Sequence, residues 1–416
     1  MFLLAAQPCF PRGLSMGILF QTGQNMIHGY VDSAFEAVRD EFARNFAERG
    51  EVGASVCVVH QGRVVVDLWG GYAQRHEQRP WQRDTLGVIF SCTKAAVALA
   101  ALRLVSQGRL DLDAPVTQYW PEFAAQGKEA IPVRWLLSHQ SGLPAFREPL
   151  PVGALYHWET ITNALAQMAP WYEPGTRQAY GAGTFGHLVG EVVRRVDGRP
   201  LGQYFHQEIA EPLGLDFYLG LPESEHARVA ATIKPDPLPP GVPPWRFLSH
   251  ANAHPESIQA SVLRNTGRRL GDTDSPQALS ACLPSSGAVA NGRSLAGLYA
   301  AVLSGRVIDR RTLSEAMDTH SATAIDGTLL VGMAFGLGFM KRADNRRGPA
   351  GAQDSLLIGR RAFGHAGMGG SLGFADPTCE LAFGYTMNKQ GHGVLLNPRG
   401  QALVDAVYAC VGTASD

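Results

Sequence analysis

Apolar and polar positions alternate at helical spacing over residues 31–45, which predicts an amphipathic helix. The period then shortens. Residues 53–60 and 63–70 are β-rich runs flanking Gln61-Gly62, the pattern of an antiparallel hairpin. Over residues 91–107 the chain is rich in Ala, Leu and Val on nearly every side and is closed by Gly108. A helix without a polar face belongs at the centre of a domain. Ser91 suits its first turn, and Gly108 suits the left-handed residue that ends it. Helical spacing returns at residues 184–196, 201–209, 294–303, 313–319 and 400–410. Strand-like runs occupy 335–340, 362–365, 372–375 and 381–387, with the polar stretch 342–354 as a loop between two of them. Six prolines between Pro235 and Trp245 exclude regular helix or central strand there and predict a surface flap or lid.

Strands near both ends with helices between them predict an α/β (α+β) chain. Residues 27–110 and 285–416 are expected to form one domain, with a mainly helical domain at 111–284. Residues 1–26 read as an extension, disordered or misassigned, with Met16 and Met26 as alternative starts. Their apolar core, residues 2–6, is shorter than the roughly 7 residues of a secretion signal and lacks a basic flank. No stretch is long enough to span a bilayer, so a cytoplasmic location without membrane contact is the expectation.

Composition narrows the function classes. A chain of 416 residues with 45% hydrophobic and 18% charged residues has room for two lobes of an ordinary globular protein. A net charge of -1 gives no field to gather nucleic acid or an anionic membrane. Six cysteines (Cys9, Cys57, Cys92, Cys282, Cys379, Cys410) form no CxxC pair, so they read as buried small hydrophobes rather than a metal or redox site.

Lysine is scarce. Only Lys94, Lys128, Lys234, Lys341 and Lys389 stand among 36 basic residues, and only Lys94 has a serine three positions earlier. On a helix, positions i and i+3 share a face, so the Lys94 amine can approach the Ser91 hydroxyl. A serine hydroxyl is a weak nucleophile until a neighbour takes its proton. The run from Ala95 to Leu99 is small or apolar, and desolvation lowers a lysine pKa toward the range where it can do so. The helix N-terminus adds N–H groups that favour a developing anion.

The run from Val88 to Lys94 (Val-Ile-Phe-Ser-Cys-Thr-Lys), then Gly108 to Pro115 and Trp135 to Pro144 (Trp-Leu-Leu-Ser-His-Gln-Ser-Gly-Leu-Pro), resembles the class C β-lactamase-like serine hydrolase superfamily. Within it the chain is most similar to the family VIII carboxylesterases, from about Ile27 to the last helix. The resemblance implies a β-lactamase/penicillin-binding-protein-like fold: a central antiparallel sheet flanked by helices, with an inserted helical lobe. It makes Tyr180-Gly181-Ala182 the second motif, with Tyr180 as proton relay beside Lys94. It makes His365-Ala366-Gly367 the counterpart of the lactamase Lys-Thr-Gly strand, and assigns the oxyanion hole to the backbone N–H groups of Ser91 and Met368. On that basis Ser91, Lys94 and Tyr180 are catalytic, and His365, Ala366, Gly367 and Ala182 bind substrate. No metal or cofactor is implied. Where many lactamases have asparagine this chain has Ala182, and His365 replaces a permanently charged lysine. Both departures favour small-molecule esters, with short acyl chains, over β-lactams.

Other signals are weaker. Gly369 to Gly373 matches G-x-S-x-G, but a nucleophile elbow needs a helix after its serine, and Phe374-Ala-Asp-Pro follows instead. His250 and His254 have metal-like spacing but sit in a loop context before Pro255, with no HExxH. Cys92 is expected to pack in the core. Trp81, Trp120 and Trp171 read as core residues before pocket ones. Two competing readings are a β-lactamase or D-amino-acid peptidase using the same trio, and a silent ligand-binding or scaffold relative.

Overall fold

The computed structural model describes residues 17–22, 25–267 and 272–412, so Cys9 and Met16 lie outside the described residues. Its centre is an antiparallel sheet whose main strands are β1 (Gly17–Thr22), β2 (Asn25–Val31), β3 (Gly53–His60), β4 (Arg63–Gln74), β5 (Phe363–Ala366), β6 (Leu372–Asp376) and β7 (Leu381–Met387). Their spatial order is β1-β2-β4-β3-β7-β6-β5, and the short Arg79–Pro80 strand pairs with β4. The β3–β7 pairing, His60 opposite Leu381 through Ala54 opposite Met387, joins strands more than 300 residues apart. Residues 17–22 and 25–31 form a hairpin on the sheet edge, so the described part of the expected extension is strand, and Met26 lies inside β2.

Alternation along the strands fixes the two faces. Val56 and Val58 of β3 join one apolar cluster and Cys57 and Val59 the other. The first face is covered by helix α1 (Glu36–Glu48), preceded by a 3₁₀ turn at Ser33–Phe35, and by the last helix (Pro398–Cys410). The predicted helix at 31–45 therefore begins later, because Val31 is held in β2. The second face carries the Gly292–Leu303 helix and, beyond it, α2 (Cys92–Ser106). Helix α2 is buried on almost every side, with Gly108 at φ +67° after its end. Gln61 and Gly62 both take positive φ, as the tight hairpin requires.

Two-residue strands that hydrophobic periodicity does not reveal, Gly87–Val88, Phe217–Tyr218 and Val289–Ala290, make a small sheet that ties the chain before Ser91 to that after Ser285. The predicted strand at 335–340 is shorter. Met333–Phe335 pairs with Ser321–Thr323, and beyond Gly338, at φ +79°, only Met340 bridges to Gly364. The proline-rich segment has no regular structure, and a helix (Arg246–Ala253) follows it.

Glycine decides how closely the Gly292–Leu303 helix meets the sheet. A Cβ on Gly384 would lie 2.1 Å from the Gly292 oxygen and 2.5 Å from the Ala296 nitrogen, with φ outside the left-handed region. Substituting Gly384→Ala should therefore lower unfolding stability by about 1–3 kcal/mol through overpacking. Urea unfolding measures it, and an unchanged midpoint would show that the helix shifts freely.

Candidate active site

The turn before α2 is pinned from several sides. The Ile89 N–H donates to Ala288 O at 3.0 Å, and its carbonyl accepts from Ser371 Oγ at 2.9 Å. Phe90 is held at φ +46°, an uncommon conformation for a bulky residue that only a well-determined surround maintains. Ser91 follows at the helix N-cap, partly exposed.

Lys94 lies one turn on, 0% exposed. Its Nζ donates to the Ala182 carbonyl at 3.1 Å and to the Ser285 carbonyl at 2.8 Å and lies 3.2 Å from Ser91 Oγ, so that in the neutral amine both N–H groups are used and the lone pair is left for Ser91. It also stands 4.7 Å from the centre of the Tyr180 ring. No carboxylate pairs with it among the described residues. Burial without a counter-charge pulls the amine down to about 7.

Tyr180 completes the group that the sequence predicts. Its hydroxyl is buried, with no partner in strict hydrogen-bonding geometry among the described residues, and the Ser91 side chain is close enough to influence it. Burial raises its pKa above the ordinary phenol value, opposed chiefly by the neighbouring Ser91. The phenol therefore keeps its proton at neutral pH, and Lys94 is the better proton acceptor of the two.

The backbone around Tyr180 is clamped at three successive N–H groups. Ala179 donates to the His139 carbonyl at 3.0 Å and Gly181 to His139 Nδ1 at 3.1 Å. Tyr180 donates to the buried carboxylate of Asp326, 3.1 Å from each oxygen. Asp326 also accepts from Thr328 N, Leu329 N and Gln178 Nε2 at 2.9–3.0 Å. The His139 ring packs against Tyr180, Phe185 and Phe335 at 4.4–4.8 Å, and burial holds its pKa well below the usual histidine range. Accepting from Gly181 leaves the remaining proton on Nε2. Neither residue is singled out in the sequence: His139 falls inside a recognised motif without evident chemistry, and Asp326 looks like any acidic loop residue.

Ser91, Tyr180, Ala182 and Met368 line one cavity of about 540 Å³. The N–H groups of Ser91 and Met368 have no protein acceptor among the described residues. His365, Ala366 and Gly367 do not line it. The β5–β6 pairing sets His365 opposite Gly373 and turns its ring inward, 0% exposed, 6.2 Å from Tyr180. Desolvation, then the nearby Lys94, pulls its pKa down to about 3, so it is a neutral packing neighbour and not a replacement for the lactamase cation on the cavity wall.

Ser371 is buried and spends its hydroxyl on Ile89 O. Cys92 points away, its thiol on the His365 carbonyl at 3.0 Å and, by burial, pushed up to about 12. Trp81 and Trp120 are core residues, and Trp171 donates to Ala145 O at 2.8 Å; the tryptophan on the cavity wall is Trp245. His250, on the Arg246–Ala253 helix, and His254, just past its end, pack ring to ring at 4.4 Å with the planes tilted by 42°.

If the His139 clamp orients Tyr180, His139→Leu should lower kcat by about tenfold or more with KM little changed, one orphaned donor being worth ~1.4 kcal/mol. His139→Asn keeps an acceptor and tolerates the φ of +60°, and should restore most of the rate. Equal losses in both variants would reduce the clamp to a folding role.

The sequence profile of the Beta-lactamase family matches residues 38–407. Esterase/beta-lactamase LipL of Mycobacterium tuberculosis is 33% identical over 371 residues, 87% of this chain and 83% of that protein. A penicillin-binding protein homologue from Caulobacter crescentus is 37% identical with a TM-score of 0.81, covering 92% of this chain and 99% of the other. A family VIII carboxylesterase is 35% identical, also with a TM-score of 0.81, and covers the same shares. With Ser91 and Lys94 in contact and Tyr180 beside them on this fold, the chain belongs to the Beta-lactamase family.

Proposed function

We propose that the protein is a carboxylesterase acting through an acyl-enzyme on Ser91. The observation that carries this reading is the contact between Ser91 Oγ and a fully buried Lys94 amine that lacks a counter-charge. The neutral amine takes the hydroxyl proton as Ser91 attacks the ester carbonyl. The oxyanion rests on the N–H groups of Ser91 and Met368. Collapse expels the alcohol, which receives a proton from Lys94 through the Tyr180 hydroxyl. Water then adds to the acyl-enzyme by the same proton path, and the acid leaves. Each half-reaction, acylation and deacylation, returns Lys94 and Tyr180 to their starting protonation.

Esters are favoured over β-lactams by the site's lack of two polar handles. Ala182 contributes only its carbonyl, already held by Lys94, and His365 is neutral and buried. The name of LipL keeps β-lactam hydrolysis as a second, slower reaction. A cytoplasmic setting belongs to the same proposal, supported by the buried free thiols of Cys57 and Cys92.

Ser91→Ala should abolish hydrolysis of nitrophenyl butyrate and labelling by a fluorophosphonate, with the melting temperature retained. The wild type should turn over that ester far faster than nitrocefin. Residual esterase activity in the variant would reject Ser91, and a nitrocefin preference would reverse the substrate order.

A further inference from the structure

We infer that this site takes neutral esters carrying one large hydrocarbon group, and that the wall receiving it is built by the proline-rich segment and the two helices after it. The inference rests on the esterase reading of Ser91.

The cavity is far larger than a short acyl group needs. At ~30 Å³ for each water-sized unit, its 540 Å³ corresponds to on the order of 18 such units, against two or three for an acetyl group. Part of the cavity lining is apolar: Trp245, Phe247 and Leu248 from the Arg246–Ala253 region, and Val262 and Leu263 from the Ile258–Arg264 helix. Leu248 and Met368 are 38% and 44% exposed, two of the few large hydrophobic residues left open, and both border this cavity. An apolar surface kept open beside a nucleophile marks where a hydrocarbon group rests.

The proline-rich segment is anchored at both ends. Ile233 bridges in parallel to Lys389, with Ile233 N donating to Asn388 O at 2.9 Å and Gln390 N to Ile233 O at 2.8 Å. Lys389 Nζ meets Asp236 Oδ1 at 2.6 Å, and His392 Nε2 meets the Asp236 carbonyl at 2.7 Å. Arg246 N donates to Gly351 O at 2.8 Å. These contacts anchor the two ends of the segment, at 233–236 against the 388–392 stretch and at Arg246 against Gly351, and Pro235 reaches the cavity lining.

Charge sets the second half of the specificity. The lysine on the cavity lining, Lys234, is exposed, Asp274 accepts from Thr232 N at 2.6 Å, and burial holds His187 down at about 4. Among the described residues, no buried cation lines the cavity to receive a carboxylate.

The large group can belong to the acid or to the alcohol. Ethyl acetate, ethyl octanoate, cyclohexylmethyl acetate and monoethyl suberate, followed by pH-stat on the intact enzyme, separate these cases. At roughly three- to fourfold per buried methylene, at least one of the two large neutral esters should exceed ethyl acetate in kcat/KM by about tenfold or more. Octanoate winning assigns the wall to the acyl chain, and cyclohexylmethyl acetate winning assigns it to the alcohol. Monoethyl suberate, as long as the octanoate but ending in a carboxylate, should fall at least about tenfold below it. Val262→Trp, folded by circular dichroism, should shrink the large-to-small ratio. Equal rates on all the neutral esters, or a suberate rate matching octanoate, would overturn the inference. Activity that survives Ser91→Ala would instead overturn the esterase reading beneath it.

Discussion

A lysine amine buried without a negative partner is the constraint on which the rest of the site depends. Desolvating a cation is expensive, so the protein holds Lys94 near the point where the charge can be given up. Two backbone carbonyls hold it, Ala182 O and Ser285 O, from segments 88 and 191 residues away. Ser91, the segment just after Tyr180 and the stretch leading into the Val289–Ala290 strand therefore meet at one nitrogen. Displacing any of these segments would move the base relative to Ser91.

Lys128 offers a comparison within the same molecule. It too is fully buried, donating to the carbonyls of Ala125, Ala166 and Met168, and burial pulls its amine down to about 8. It ties its own turn at Ala125 to the stretch from Ala166 to Met168, and faces neither a hydroxyl nor the cavity. A depressed lysine is therefore a common outcome of burial. Lys94 differs in having Ser91 Oγ as its third partner and an open cavity beside that oxygen. Geometry separates the two lysines.

The chemistry was legible in the sequence where it is carried by side chains close together along the chain. Ser91 and Lys94 stand three apart on a helix too apolar to face water, and Tyr180 heads a recognisable motif. The hairpin and most long helices follow from periodicity and from Gln61-Gly62 and Gly108. What stayed hidden depends on long-range backbone contacts. Nothing in the residue types at 182 or 285 marks their carbonyls as partners of Lys94, and strands of two residues carry no period. Asp326 matters because a turn places its carboxylate against Tyr180 N. His365 could be assigned to its strand by resemblance, but its burial beside Tyr180, off the cavity lining, was not legible from the residue type.

The scarcity of lysine makes the central electrostatic claim directly measurable. Five lysines give a sparse spectrum in protein labelled with ¹³C at the lysine side chain, and Lys94→Met assigns the resonance by its loss. Titrated by NMR, the Lys94 signal should have its midpoint close to the value of about 7 set by burial. A midpoint near the ordinary lysine value, about 10.4, would mean that the amine stays charged at neutral pH, contradicting its role as the base for Ser91.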